Sequence, residues 1–107
     1  MRKHLIAALL FASTTPALAQ FPPPGIYRCT QASGALVGEL TLFVGGDYSF
    51  RGDKENASSG QLASAGTDIN PLSGPLRDMG LIGTFFAEEG ATVLQFAGPQ
   101  GLMVLCR

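Results

Sequence analysis

The side chains that carry most enzyme chemistry are scarce in this 107-residue chain: one histidine, His4, two cysteines, Cys29 and Cys106, and no tryptophan. His4 lies in an N-terminal stretch that reads as an export signal, so the mature chain has no imidazole. With no imidazole and no free thiol expected, Ser-His-Asp and Cys-His nucleophile arrangements are excluded, as is a His- or Cys-based zinc site. Carboxylates remain. Glu88 and Glu89 are adjacent, so on a strand end they point to opposite faces and make a poor acid–base pair. Asp53 and Glu55 lack the alternating oxygens and central glycine of an EF-hand loop and read as solvated. The fourteen glycines show no phosphate-binding spacing and are better explained by turns. Arg28 and Glu39 read as a surface ion pair between neighbouring strands. No catalytic residue, cofactor or metal ligand is expected, and the chain reads as a non-enzyme.

The N-terminus states the compartment. Arg2 and Lys3 precede an apolar run from Leu5 to Ala12, and Ala17-Leu18-Ala19 is a small-x-small cleavage site. This is the layout of a secretory signal peptide, with cleavage expected between Ala19 and Gln20. The run is roughly half of the ~20 residues that cross a bilayer, so no stable membrane anchor is expected. A periplasmic or secreted protein follows. Residues 20–107 form the mature chain, with five cations against eight carboxylates and a net charge of −3. Scattered cations in a mildly acidic chain argue against a nucleic-acid surface.

Two cysteines in a small exported chain point to a Cys29–Cys106 disulfide. The loop it closes is long, and chain entropy assigns such a bridge about 4.5 kcal/mol. A domain this short buries a modest share of its surface, so the bridge matters to it.

The elements that must hold these residues are strands. Gln20-Phe21-Pro22-Pro23-Pro24 is a stiff extended arm that cannot donate to a ladder. Gly25–Gln31 has Tyr27 and Cys29 on one face. Ala35–Val44 alternates with period two, Leu36, Leu40, Leu42 and Val44 facing one way. Gly45-Gly46 turns it into Asp47–Arg51, with Tyr48 and Phe50 together. Gly52–Gly60 is polar, lacks large apolar residues and reads as an exposed loop. Gln61–Thr67 is a weak strand around Leu62, and Asp68-Ile69-Asn70 begins another. Pro71–Gly80 reads as a compact apolar loop with one 3₁₀ turn, plugging one end of the domain. Leu81–Glu88 and Ala91–Ala97 pair through Glu88-Glu89-Gly90, and Leu102–Arg107 closes the chain. The domain organisation is thus a signal peptide (1–19), a proline-rich arm (20–24) and one domain (25–107). Its class is all-β, a small antiparallel up-and-down barrel or closed sandwich of about seven or eight short strands. The barrel is favoured because it sets first and last strands side by side, where the disulfide needs them.

Five short patterns recur together: Gly25-x-Tyr27-x-Cys29, Gly38-x-Leu40-x-Leu42, Tyr48-x-Phe50, Ser73-Gly74-Pro75-Leu76, and Cys106 near the end. On these the chain resembles a loosely defined group of small exported bacterial proteins. Leu62 and Leu72 depart from that pattern, where an aromatic and a phenylalanine would be expected. The resemblance implies an exported all-β fold and carries no catalytic residues over. The expected function is binding of another protein, such as an envelope or extracellular one, or of a small ligand. The alternative is inhibition of an extracytoplasmic protease through the Gln20–Pro24 arm.

Overall fold

The computed structural model describes residues 21–107. The proposed signal and its cleavage point at Ala19 and Gln20 lie outside the described residues. Eight strands follow one another: β1 (Gly25–Gln31), β2 (Leu36–Leu42), β3 (Asp47–Gly52), β4 (Ala57–Ala65), β5 (Asp68–Pro71), β6 (Ile82–Glu88), β7 (Ala91–Ala97) and β8 (Met103–Cys106). Each pairs antiparallel with the next, and β1 pairs with β8, so the sheet is a closed up-and-down barrel. Among the described residues, closure leaves no edge strand to template aggregation.

The closing seam is short. Cys29 faces Cys106, Thr30 faces Leu105 and Gln31 faces Val104. One step outward, Arg28 and Arg107 exchange backbone hydrogen bonds of 2.9 and 3.0 Å. Cys29 and Cys106 therefore occupy the next, non-hydrogen-bonded pair, where opposite residues approach most closely. Their Cα atoms are 3.9 Å apart and the disulfide is formed. Both residues are buried and face the core.

An eight-stranded barrel has an interior just wide enough for its own side chains. Leu40, Leu94 and Phe96 are completely buried there, with Tyr48, Ile69, Leu76 and Val104 at 1% exposure. Burial of each such aliphatic or aromatic side chain stabilises the fold by about 1.5–3 kcal/mol. Glycine lets the wall draw in at Gly83, where an added Cβ would sit 2.7 Å from both the Gln95 carbonyl and the Phe96 ring.

Three local readings change in the folded chain. The pairing shifts register between Cys29 and Thr30, so that Thr30 faces Leu36. This bulge changes the phase of β2: Val37 packs on the core and Leu36 is exposed. Val44 leaves the strand for a 3₁₀ turn, Val44–Gly46, and is 82% exposed. The loop expected over Gly52–Gly60 is shorter, because Ala57–Gly60 already belong to β4 and pair with β3. Nothing apolar marks that segment, since the space at its inward position Gly60 is filled by Tyr48, the residue opposite it on β3. The turn inside Pro71–Gly80 is α rather than 3₁₀: α1 (Pro75–Asp78) inserts Leu76, which is 1% exposed, as the expected plug.

Candidate functional site

The residues singled out by the sequence resolve into architecture. Tyr48 is buried, and its hydroxyl donates to the Ser73 carbonyl at 2.7 Å and accepts from the Leu76 amide at 3.0 Å. Gly60 and Gly74 are the neighbours that allow this approach. A Cβ on either would lie 2.6 Å from the Tyr48 oxygen. The Tyr-x-Phe and Ser-Gly-Pro-Leu patterns are thus two halves of one clasp that seats α1 in the end of the barrel.

Tyr27 makes a second clasp. Its hydroxyl donates to the Pro23 carbonyl at 2.6 Å. Pro22 is buried, and the Phe21 ring lies against Gly46, where a Cβ would meet it at 2.8 Å. The described part of the arm, Phe21–Pro24, is laid onto its own barrel. Burial pushes the Tyr27 and Tyr48 hydroxyls above the usual phenol range.

The charged candidates separate. Register places Arg28 opposite Glu39, but the Glu39 carboxylate pairs with Arg51, across its other flank, at 3.3 Å. Glu88 pairs with Arg107 at 2.9 Å. Glu89 and Gly90 both take positive φ, 54° and 83°, as a two-residue hairpin turn requires. Glu88 and Glu89 are therefore not joined into an acid–base pair. Asp53 and Glu55 sit in the exposed turn after β3. Among the described residues no three His, Cys, Asp or Glu side chains gather as metal ligands.

What the sequence did not mark is a groove of about 630 Å³ on the outside of the barrel, across β4, β5, β6 and β7. Alternation assigns its lining. Leu62, Ile69, Leu94 and Phe96 point inward, so Ala63, Asp68, Asn70, Thr84, Gln95 and Ala97 point outward. Two transverse rows result. Ala65, Asp68, Thr84 and Gln95 stand in register along one row. Along the other, Ala63 pairs with Asn70, and Ile82 with Ala97.

The hollow has a local cause. β5 and β6 share only the pairs Asp68–Thr84 and Ile69–Gly83. Pro71, at the end of β5, has no N–H to extend the ladder, and the Leu81 amide is spent on the Leu76 carbonyl at 3.1 Å. The strands part there, and the alanines on either side leave the surface low. Ile82 stands in the groove wall at 62% exposure. Among the described residues, Asp68 is the lone charged side chain of the lining, and no aromatic belongs to it. Among the described residues the side chains of Asp68, Asn70, Thr84 and Gln95 make no hydrogen bond to protein, whereas Asp47, Gln61 and Ser73 nearby are all engaged.

The groove falls within the 300–1,000 Å³ range of binding clefts, with an apolar floor and a few polar groups at its rim. No signal in the sequence could have found it, because it is made by residues from four strands that only register brings together. No protein-family model, curated protein or solved structure matches the chain.

Proposed function

We propose that this protein is an exported, non-enzymatic binding domain whose contact surface is the outer groove over β4–β7. The observation that carries this reading is the groove itself, with the exposed Ile82 beside the outward polar side chains of Asp68, Asn70, Thr84 and Gln95. A concave surface that combines aliphatic side chains with a few convergent polar groups has the usual makeup of a binding cleft. The Cys29–Cys106 disulfide fits an oxidising compartment, and the Ala19–Gln20 cleavage signal makes that compartment the periplasm or the exterior. The filled barrel interior argues for surface contact over carriage of a ligand inside. The protease-inhibitor alternative needs a free arm, and Phe21–Pro24 are held down by Tyr27 and by burial of Pro22.

The test is site-specific cross-linking in native cells. A photo-reactive benzoylphenylalanine is placed at Thr84, in the groove, or at Ser49, on the outer face of β3. Discrete adducts from position 84 that vanish with Ile82→Asp are expected. Identical adducts from both positions, or none from position 84, would overturn the reading.

A further inference from the structure

The chemistry of the groove narrows its occupant, if the proposal above holds. Anionic ligands meet no cation in the lining and one carboxylate, Asp68. Sugars and nucleobases find no aromatic ring to stack on. An aliphatic group finds a matching floor in Ile82, Ala63 and Ala97. Asn70 and Gln95 each offer a donor and an acceptor, the pair of functions that a peptide backbone presents in return.

Charge over the whole surface points the same way. Arg28, Arg51 and Arg107 project from the opposite wall, on β1, the end of β3 and the residue after β8, with Lys54 in the turn beyond Gly52. Glu39, Asp47, Asp53 and Glu55, on β2, β3 and the turn after β3, balance that side. The net −3 of the mature chain therefore resides on the remainder, which includes the groove. A cationic group is drawn to it and an anionic one repelled.

We infer that the groove takes an extended peptide segment of a partner protein, with an aliphatic side chain seated against Ile82 and a neighbouring lysine or arginine on Asp68. Its span suits this. Four strands lie ~14 Å across at their usual spacing, which about four extended residues cover.

The experiment titrates the oxidised, ¹⁵N-labelled protein with the peptide acetyl-Gly-Leu-Val-Lys-Ser-Gly-amide, and with its glutamate counterpart in place of lysine. The amide signals of Thr84, Gln95 and Ala97 are followed. The lysine peptide is expected to shift them and to bind roughly ten-fold more tightly than the glutamate peptide, one exposed attraction being replaced by a repulsion. That preference should collapse in Asp68→Asn, which leaves the apolar floor intact, and in roughly half-molar salt. Equal affinity of the two peptides, tighter binding of the glutamate peptide, or shifts confined to the Arg28–Arg51 row would each overturn the inference. So would silence of the groove amides with both peptides. Cross-linking at position 84 together with a lost charge preference would leave the binding reading standing and remove only the peptide chemistry.

Discussion

The two walls of this barrel are built to different ends. The wall of β8, β1, β2 and β3 carries the disulfide beneath it and two ion pairs around it, Arg51–Glu39 and Arg107–Glu88. Its outer row sets Arg107, Arg28, Glu39 and Arg51 side by side. The wall of β4 to β7 has small outward residues, a two-pair junction between β5 and β6, and an exposed isoleucine. Covalent and electrostatic ties are concentrated where the chain closes. The surface with unspent polar groups lies where the sheet is loosest. A small domain can leave one junction thinly paired when the opposite seam is stapled, and that division separates what holds the fold from what the fold presents.

The comparison breaks first at the staple. Removing the disulfide with Cys29→Ala and Cys106→Ala together should cost more than ~2 kcal/mol in urea denaturation, with chain entropy setting an upper figure of about 4.5 kcal/mol. The groove wall should keep its chemical shifts under native conditions if the walls are as separable as described. Broad loss of groove signals would show the two walls to be one cooperative unit.

A smaller effect sharpens the role of the clasps. Tyr48→Phe leaves the Ser73 carbonyl without its donor and the Leu76 amide without its acceptor, and should cost about 1–3 kcal/mol. The same hydroxyl sets an alkaline limit. Its ionisation is pushed upward by burial in the folded state, so the unfolded chain loses this proton first as pH rises. The contribution is fully present below the ordinary phenol value of 10.0 and is lost as pH climbs through the raised folded value. Tyr27 adds to the same trend. Stability measured from pH 8 to 11 should therefore fall at the top of that range, and less steeply in Tyr48→Phe.

The smallest effect tests the charged row. Glu39→Gln removes the Arg51 partner from a site where both side chains are well exposed. The expected loss is within about 0.5 kcal/mol. A change above ~1 kcal/mol would mean that the arginine row is held together as a network.

Much of this architecture was legible in the sequence because it rests on local alternation. Leu40, Leu42, Tyr48, Phe50, Leu94 and Phe96 follow period two, and the side chains they predict are the buried ones. The Cys29–Cys106 pairing followed from compartment and count, and the barrel followed from that pairing. Ser58, Ser59 and Gly60 hid a strand, since a position covered by the large tyrosine opposite it on the neighbouring strand needs no apolar residue of its own. The β2 bulge misplaced Leu36, because one extra residue inverts every face beyond it. The arm's docking combines the Tyr27 hydroxyl on Pro23, burial of Pro22 and the Phe21 ring against Gly46, contacts that local alternation does not reveal. The groove was the least legible feature. Ala63, Asp68, Thr84 and Gln95 are ordinary outward residues of weak strands, and they become a surface only when four registers are known together.

The buried bond at the seam also decides how the domain answers to force. A load applied to the two ends passes from the strand before Cys29 to the residue after Cys106 through a covalent link, so the wall between them is never stretched. Reduced, the same pull would peel the seam and release the 77-residue separation, roughly 260 Å of extended chain. Oxidised, the domain gives up only the few residues outside the bridge.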